Sequence, residues 1–198
     1  MPRLFRVSLL AAAIAAPLAL AGCGVNDIPT YEENAKAKWG EVENQYQRRN
    51  DLVPNLVETV KGYAKQEKDV LTSVTEARAK ATSIHLDVGD LSDPAKLKQL
   101  QEAQNSLSGA LGKLLSITEN YPELKSNANF LALQSQLEGT ENRIAVARKD
   151  YVEAVRLYNT SLRTFPTTIW ASLFYRSSKP LVEFQATDAA KTAPAVKF

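Results

Sequence analysis

The sequence predicts an all-α fold, an elongated antiparallel bundle of three long helices with a short C-terminal helix. Three observations lead there. Apolar residues recur at alternating spacings of three and four over long stretches, the period of one helix face and not of a strand. The residues between them are rich in Lys, Glu, Gln and Arg, which are good helix formers. Turn-forming residues at 87–93, with Pro94, Pro122 and Pro166, punctuate the stretches.

Composition removes several function classes first. The chain has 198 residues with one His and one Cys. One His excludes multi-histidine zinc sites, and one Cys excludes internal disulfides and cysteine-cluster metal sites. A triad-type mechanism would have to run through His85 alone. The apolar stretches fall short of the ~20 residues of an ordinary transmembrane helix, and the length suits one domain.

Residues 1–22 read as a bacterial secretory signal, with Arg3 and Arg6 ahead of an apolar run from Val7 through Leu20. Leu20-Ala21-Gly22-Cys23 resembles a lipobox, so Cys23 is the expected lipidation site. Two or three acyl chains on this residue would make a lasting membrane anchor, where one would not. Removing the two signal arginines from 24 basic residues leaves 22 against 22 acidic residues. A neutral exported domain has no general attraction for nucleic acid, and no nucleic-acid partner is expected. Residues 23–30 read as a lipidated tether and 31–185 as the bundle. Gly24 in place of Asp permits outer-membrane transport by resemblance to enterobacterial lipoproteins. That sorting rule differs between bacterial groups, so either membrane stays open.

The first helical stripe runs from Tyr31 to Ile84, through Trp39, Val42, Tyr46, Val53, Leu56 and Val60 and on to Ala81. Pro54 lies inside it, removing a backbone donor and crowding the carbonyl of Asn50. The helix kinks there or restarts with Asp51 as its cap. The unbroken heptad phase favours one kinked helix. Ser92 or Asp93 caps the second helix, Pro94 suits its first position, and it stops before Pro122. Its stripe is Leu97, Leu100, Leu107, Leu111, Leu114 and Tyr121, with Gly109 and Gly112 weakening it or allowing close approach. The third helix runs from near Ser126 to about Leu162 along Phe130, Leu137, Ile144, Tyr151 and Tyr158. Ile169, Trp170, Leu173, Phe174 and Tyr175 suggest the short fourth helix, and residues 186–198 read as a disordered tail.

Three ordered blocks then resemble the LemA family. The first is Gln47-Arg48-Arg49-Asn50-Asp51-Leu52-Val53-Pro54-Asn55-Leu56-Val57, continuing to Val60-Lys61-Gly62-Tyr63-Ala64. The second is Glu119-Asn120-Tyr121-Pro122-Glu123-Leu124-Lys125, then Phe130 and Leu133. The third is Glu141-Asn142-Arg143-Ile144-Ala145 with Ala147-Arg148, Tyr151 and Tyr158-Asn159. Phe165-Pro166, Phe174 and Phe184 extend the likeness. The resemblance implies a membrane-anchored helical bundle without known enzymatic activity. Many relatives carry an uncleaved membrane helix, and the lipobox here departs from that. Genomic neighbourhood with HtpX-type membrane metalloproteases or TPM-domain proteins implies a link to envelope quality control.

Polar residues interrupt the seams. Arg49 and Glu67 fall on core positions of the first stripe, about 27 Å apart on a straight helix, so they cannot pair with each other. Gln104 and Thr118 sit on the second stripe, and Thr140, with Glu141 and Arg148 beside it, on the third. Such groups fix helix register through buried hydrogen bonds. A competing reading makes Arg48, Arg49, Asp51 and Asn55 around Pro54 a partner-binding or switching site. Register is preferred. His85 reads as a helix-end residue, acid pairs such as Glu32-Glu33 as solvated faces, and Trp39 and Trp170 as packing residues. Glu-x-x-His is absent. The expected protein is a non-enzymatic interaction or scaffold lipoprotein of the bacterial envelope, with no cofactor and no metal. An accessory role on a membrane protease and a carboxylate-based enzyme are the rivals.

Overall fold

The computed structural model describes residues 24–185. The expected signal peptide, Cys23 and the expected disordered tail lie outside the described residues. Six α-helices and one short 3-10 helix make up the regular structure among the described residues, without a strand. They are α1 (Asp27–Tyr63), α2 (Lys68–Ser83), α3 (Pro94–Thr118), α4 (Pro122–Lys125), α5 (Ala128–Ser161) and α6 (Thr167–Phe174), with the 3-10 turn at Val88–Ser92. The all-α expectation holds.

Helix α1 begins at Asp27 with Ile28 fully buried, so the last four residues assigned to the tether are helical. It spans 37 residues, about 55 Å at ~1.5 Å per residue. It runs unbroken through Pro54 and ends at Tyr63, where one kinked helix to Ile84 was expected. The chain instead reverses over Ala64–Glu67 and returns as α2. Tertiary packing explains the difference. A 54-residue rod would be about 81 Å long, and its far half would outrun the 34 residues of α5. Folding back places Leu71, Val74, Ala77 and Ala81 in the same apolar cluster as Val53, Leu56 and Val60. Tyr121 Oη donates to Glu67 at 2.8 Å and pins the reversal.

Pro54 leaves the Asn50 carbonyl without its intrahelical donor. Arg78 of α2 supplies one, with Nε donating to that carbonyl at 2.8 Å. Arg78→Ala is expected to cost about 1–2 kcal/mol by orphaning the carbonyl. Pro54→Ala in the same chain restores a backbone donor, so part of the loss returns. A double-mutant cycle by urea denaturation measures this coupling, and simple additivity would refute it.

Asp93 caps α3 as expected, accepting from Ala95 N at 2.8 Å and Lys96 N at 3.4 Å, with Pro94 in the first turn. Asn127 caps α5 by accepting from Phe130 N at 3.0 Å. Helix α1 packs chiefly on α5, and α2 on α3. Cross-links fix α1 and α5 as antiparallel: Lys38 to Asp150, Gln45 to Arg143 and Tyr63 to Asn127, moving up one helix and down the other. The long bundle is therefore α1, α2, α3 and α5, with alternating directions. Four helices, rather than three, surround the core.

The last described segment is not helical but is part of the core. Leu181, Val182 and Phe184 pack on α1, α3 and α5 as an extended strap. Asn159 Nδ2 donates to Leu181 O, and Leu181 N donates to Asn159 Oδ1, both at 2.9 Å. Val182 N donates to Leu91 O at 2.8 Å, and Tyr151 Oη donates to Val182 O at 3.1 Å.

Candidate functional site

The core is two apolar clusters, not one. The first holds Val53 to Val60 of α1, Leu107 to Leu114 of α3, and Phe130 and Leu137 of α5. The second holds Ala35 to Tyr46, Leu97 and Leu100, and Ile144 to Val155. Helices α1, α3 and α5 cross from one cluster to the other at the same level. Arg49 falls between Tyr46 and Val53, Gln104 between Leu100 and Leu107, and Thr140 and Glu141 between Leu137 and Ile144. The heptad step that carries an apolar side chain elsewhere carries a polar one here.

These residues meet. Arg49 is 2% exposed, and its Nη1 donates to Glu141 Oε1 and to Ser108 Oγ, each at 2.7 Å. Its Nη2 donates to Gln104 Oε1 and, at 3.4 Å, to the Gln104 carbonyl. Gln104 Nε2 reaches the Ala81 carbonyl of α2 at 3.5 Å. Arg143 Nη2 donates to Thr140 Oγ1 at 2.9 Å beside the layer. The Tyr46 ring lies 5.5 Å from the guanidinium carbon, within cation–π range. Burial raises the Tyr46 hydroxyl above its ordinary range, against the opposing pull of Arg148 and Arg49. One guanidinium thus engages α3 and α5 by hydrogen bonds, and α2 through Gln104. A guanidinium has five donors in a rigid fork and does not shed its proton, so it suits a fixed multi-helix junction.

The sequence-predicted candidates divide. Arg49 and Glu141 are brought together, as facing-helix partners. Arg48, Asp51, Pro54 and Asn55 are exposed on the outer face of α1 and do not join them. Asp51 accepts from Gln47 Nε2 at 2.7 Å, one turn away. Arg148 lies 4.3 Å over the Phe184 ring and holds the strap. Cys23 is outside the described residues. The grouping of Arg48, Arg49, Asp51 and Asn55 as one site is therefore corrected: Arg49 faces inward because it sits on the heptad seam, and its neighbours follow the helix outward.

Ser108 and Arg78 were missed by sequence reasoning, and Asn159 was noted only within the family resemblance, without its role in holding the strap. Ser108 lies beside a seam position and reads as ordinary surface. Arg78 was hidden because its acceptor is a carbonyl freed by Pro54, a clue present in the sequence but unused. Trp39 is a packing residue, edge-on to Tyr151 at 5.3 Å and stacked on Phe184 at 6.0 Å.

Near the same end, burial raises the Glu43 carboxyl above the usual carboxylate range, and His85 partly opposes this. The folded chain therefore holds this proton to higher pH than the unfolded chain, so stability falls as pH rises between the two values. Glu43→Gln is expected to stabilise the protein at neutral pH. Below about pH 3 both states are protonated, and the difference vanishes. Thermal melts across pH measure it, and a pH-independent difference would contradict the assignment.

At the opposite end, an open groove of about 560 Å³ lies between α1 and α2 at the reversal. Val57 and Leu71 form its floor, with Lys61, Lys65 and Lys68 around it. No helix among the described residues is long and apolar enough to cross a membrane.

This architecture defines a helical bundle crossed by one polar layer and closed by a C-terminal strap. The chain belongs to the LemA family, whose model matches residues 38–198. It is 27% identical over 183 residues to magnetosome protein MamQ 2 of Paramagnetospirillum magneticum, covering 84% of this chain and 66% of that protein. MamQ of Magnetospirillum gryphiswaldense is 26% identical over 157 residues, 71% of this chain and 58% of the relative. Protein LemA of Metamycoplasma hominis is 26% identical over 120 residues, 61% of this chain and 51% of the relative. The chain thus spans between about half and two thirds of the length of these relatives.

Proposed function

We propose that this protein is a non-enzymatic, lipid-anchored bundle of the bacterial envelope that serves as a scaffold or interaction component. The observation that carries the reading is the placement of Leu20-Ala21-Gly22-Cys23 at the end of an apolar run, immediately before the bundle. Acylated Cys23 holds the N-terminal end of α1 at a membrane, and α1 carries the reversal about 55 Å away. Three lysines at that distal tip and the outer face with Arg48, Asp51 and Asn55 are then available to other envelope proteins. Arg49 and Glu141, by contrast, serve the register of the bundle. The MamQ relatives are named for the magnetosome, a cellular structure and not a reaction, which supports an architectural reading.

In-cell crosslinking, mild-detergent purification and mass spectrometry test the proposal, with Cys23→Ser run beside the native chain. The expected result is one envelope protein enriched with the native chain and lost with the unlipidated one. A membrane metalloprotease in that role would specify quality control. Membrane recovery of Cys23→Ser equal to the native chain, with the same companions, would overturn the anchor.

A further inference from the structure

The exposed apolar side chains are unevenly distributed. Eight large hydrophobic residues are exposed among the described residues, and four of them fall between positions 165 and 174. They are Phe165 at 80%, Ile169 at 44%, Leu173 at 56% and Phe174 at 68%. Helix α6 buries Thr167 against the bundle and turns these residues outward. Trp170 is half-buried and stacks on Phe174 at 6.0 Å, and its buried Nε1 finds no acceptor among the described residues. An apolar surface flanked by Trp and Tyr, here Trp170 and Tyr175, has the composition of a membrane–water interface belt.

Charge and position agree with this. Residues 160–182 contain Arg163, Arg176 and Lys179 and no carboxylate. Of the acids at this end, Glu32 and Glu33 are both bound to Lys36, at 3.0 and 2.7 Å, and Asp27 lies beside Gly24, so the three basic residues still outnumber the one acid without an ion pair among the described residues. Gly24 adopts φ +96°, and a Cβ there would lie 3.1 Å from Thr167 Cγ2 and 3.9 Å from Pro166 Cγ. The chain therefore leaves the described structure against the first turn of α6. Gly24, the first described residue, is thus at the α6 end of the bundle.

From this we propose that Phe165 and the outward face of α6 form a membrane-docking surface, which inserts shallowly into an anionic bilayer beside the lipidated N-terminus. This rests on the lipid-anchor reading and adds a second contact to it. An acylated Cys23 raises the effective concentration of bilayer at α6, so an eight-residue helix too short to bind alone docks beside it. Two contacts at one end of the bundle fix its tilt, where a single tether leaves it to swivel.

The test uses the full lipidated chain in phosphatidylglycerol–phosphatidylethanolamine vesicles whose acyl chains carry bromine near the headgroup. Trp39 is 2% exposed and acts as a silent reference beside Trp170, the chain's second tryptophan. Brominated lipid is expected to remove about half of the tryptophan emission, because shallow insertion exposes only one of the two indoles. Trp170→Phe removes the quenchable part. Ile169→Ser/Leu173→Ser/Phe174→Ser abolishes quenching while the protein still floats with the vesicles and keeps its helical content. Flotation without quenching, and with Trp170 open to aqueous iodide, overturns docking and leaves the anchor standing. Protection from bromine, with iodide access lower than in the vesicle-free protein, means that protein covers α6 and also overturns docking. Loss of flotation and quenching together overturns the anchor, and the docking that rests on it.

Discussion

Glu141→Ala is expected to destabilise the protein by about 2–4 kcal/mol, more than Arg49→Met at about 1–2 kcal/mol. The order is the reverse of what burial alone suggests, since Glu141 is 39% exposed and Arg49 only 2%. The asymmetry comes from what each substitution leaves behind. Without Arg49, the Glu141 carboxylate turns to water at modest cost. Without Glu141, a buried guanidinium that cannot shed its proton keeps only neutral partners in Ser108 and Gln104. Urea denaturation midpoints compare the two, and equal small losses would mean that the pair is solvated. The apolar triple Arg49→Met/Gln104→Leu/Glu141→Leu removes the desolvation problem altogether. It is expected to be neutral or stabilising. A register function then shows as loss of unique packing, read from NMR line widths, and not as loss of stability.

The pairing of helix levels explains how much was legible beforehand. Heptad spacing located Arg49 and Gln104 on their seams and Glu141 beside one, and a buried charge on a seam requires a partner on a facing helix. That argument called for buried hydrogen bonds across the seam and left the partner of Arg49 unnamed. The caps, Asp93 and Pro94, were readable because capping is local chemistry. The reversal at Ala64–Glu67 was not, because its cause is distant. Neither Gly nor Pro marks those four residues. What ends α1 is the length of the helices it packs against, a property of the whole chain. The strap escaped for a similar reason: Phe184 belongs to no periodic stripe, and its aromatic partners lie 33 or more residues away.

Phe184→Ala is expected to cost about 2–3 kcal/mol, large for a residue in a segment without regular structure. Its ring contacts Trp39 and Tyr151, with Arg148 above it. Removing the ring exposes two of the largest aromatic side chains of the core. Asn159→Ala acts on the same segment from the other end, breaking both hydrogen bonds to Leu181, and is expected to cost about 1–2 kcal/mol. The double substitution is expected to cost clearly less than the sum. Either change lets the strap lift, and a strap already lifted has no contacts left for the second change to remove. Denaturant midpoints of the four chains decide it. Additive losses would mean that the two ends hold separately and that the strap peels residue by residue. Sub-additive losses make it one cooperative unit, whose release opens the Trp39 face of the bundle while the polar layer around Arg49 stays closed.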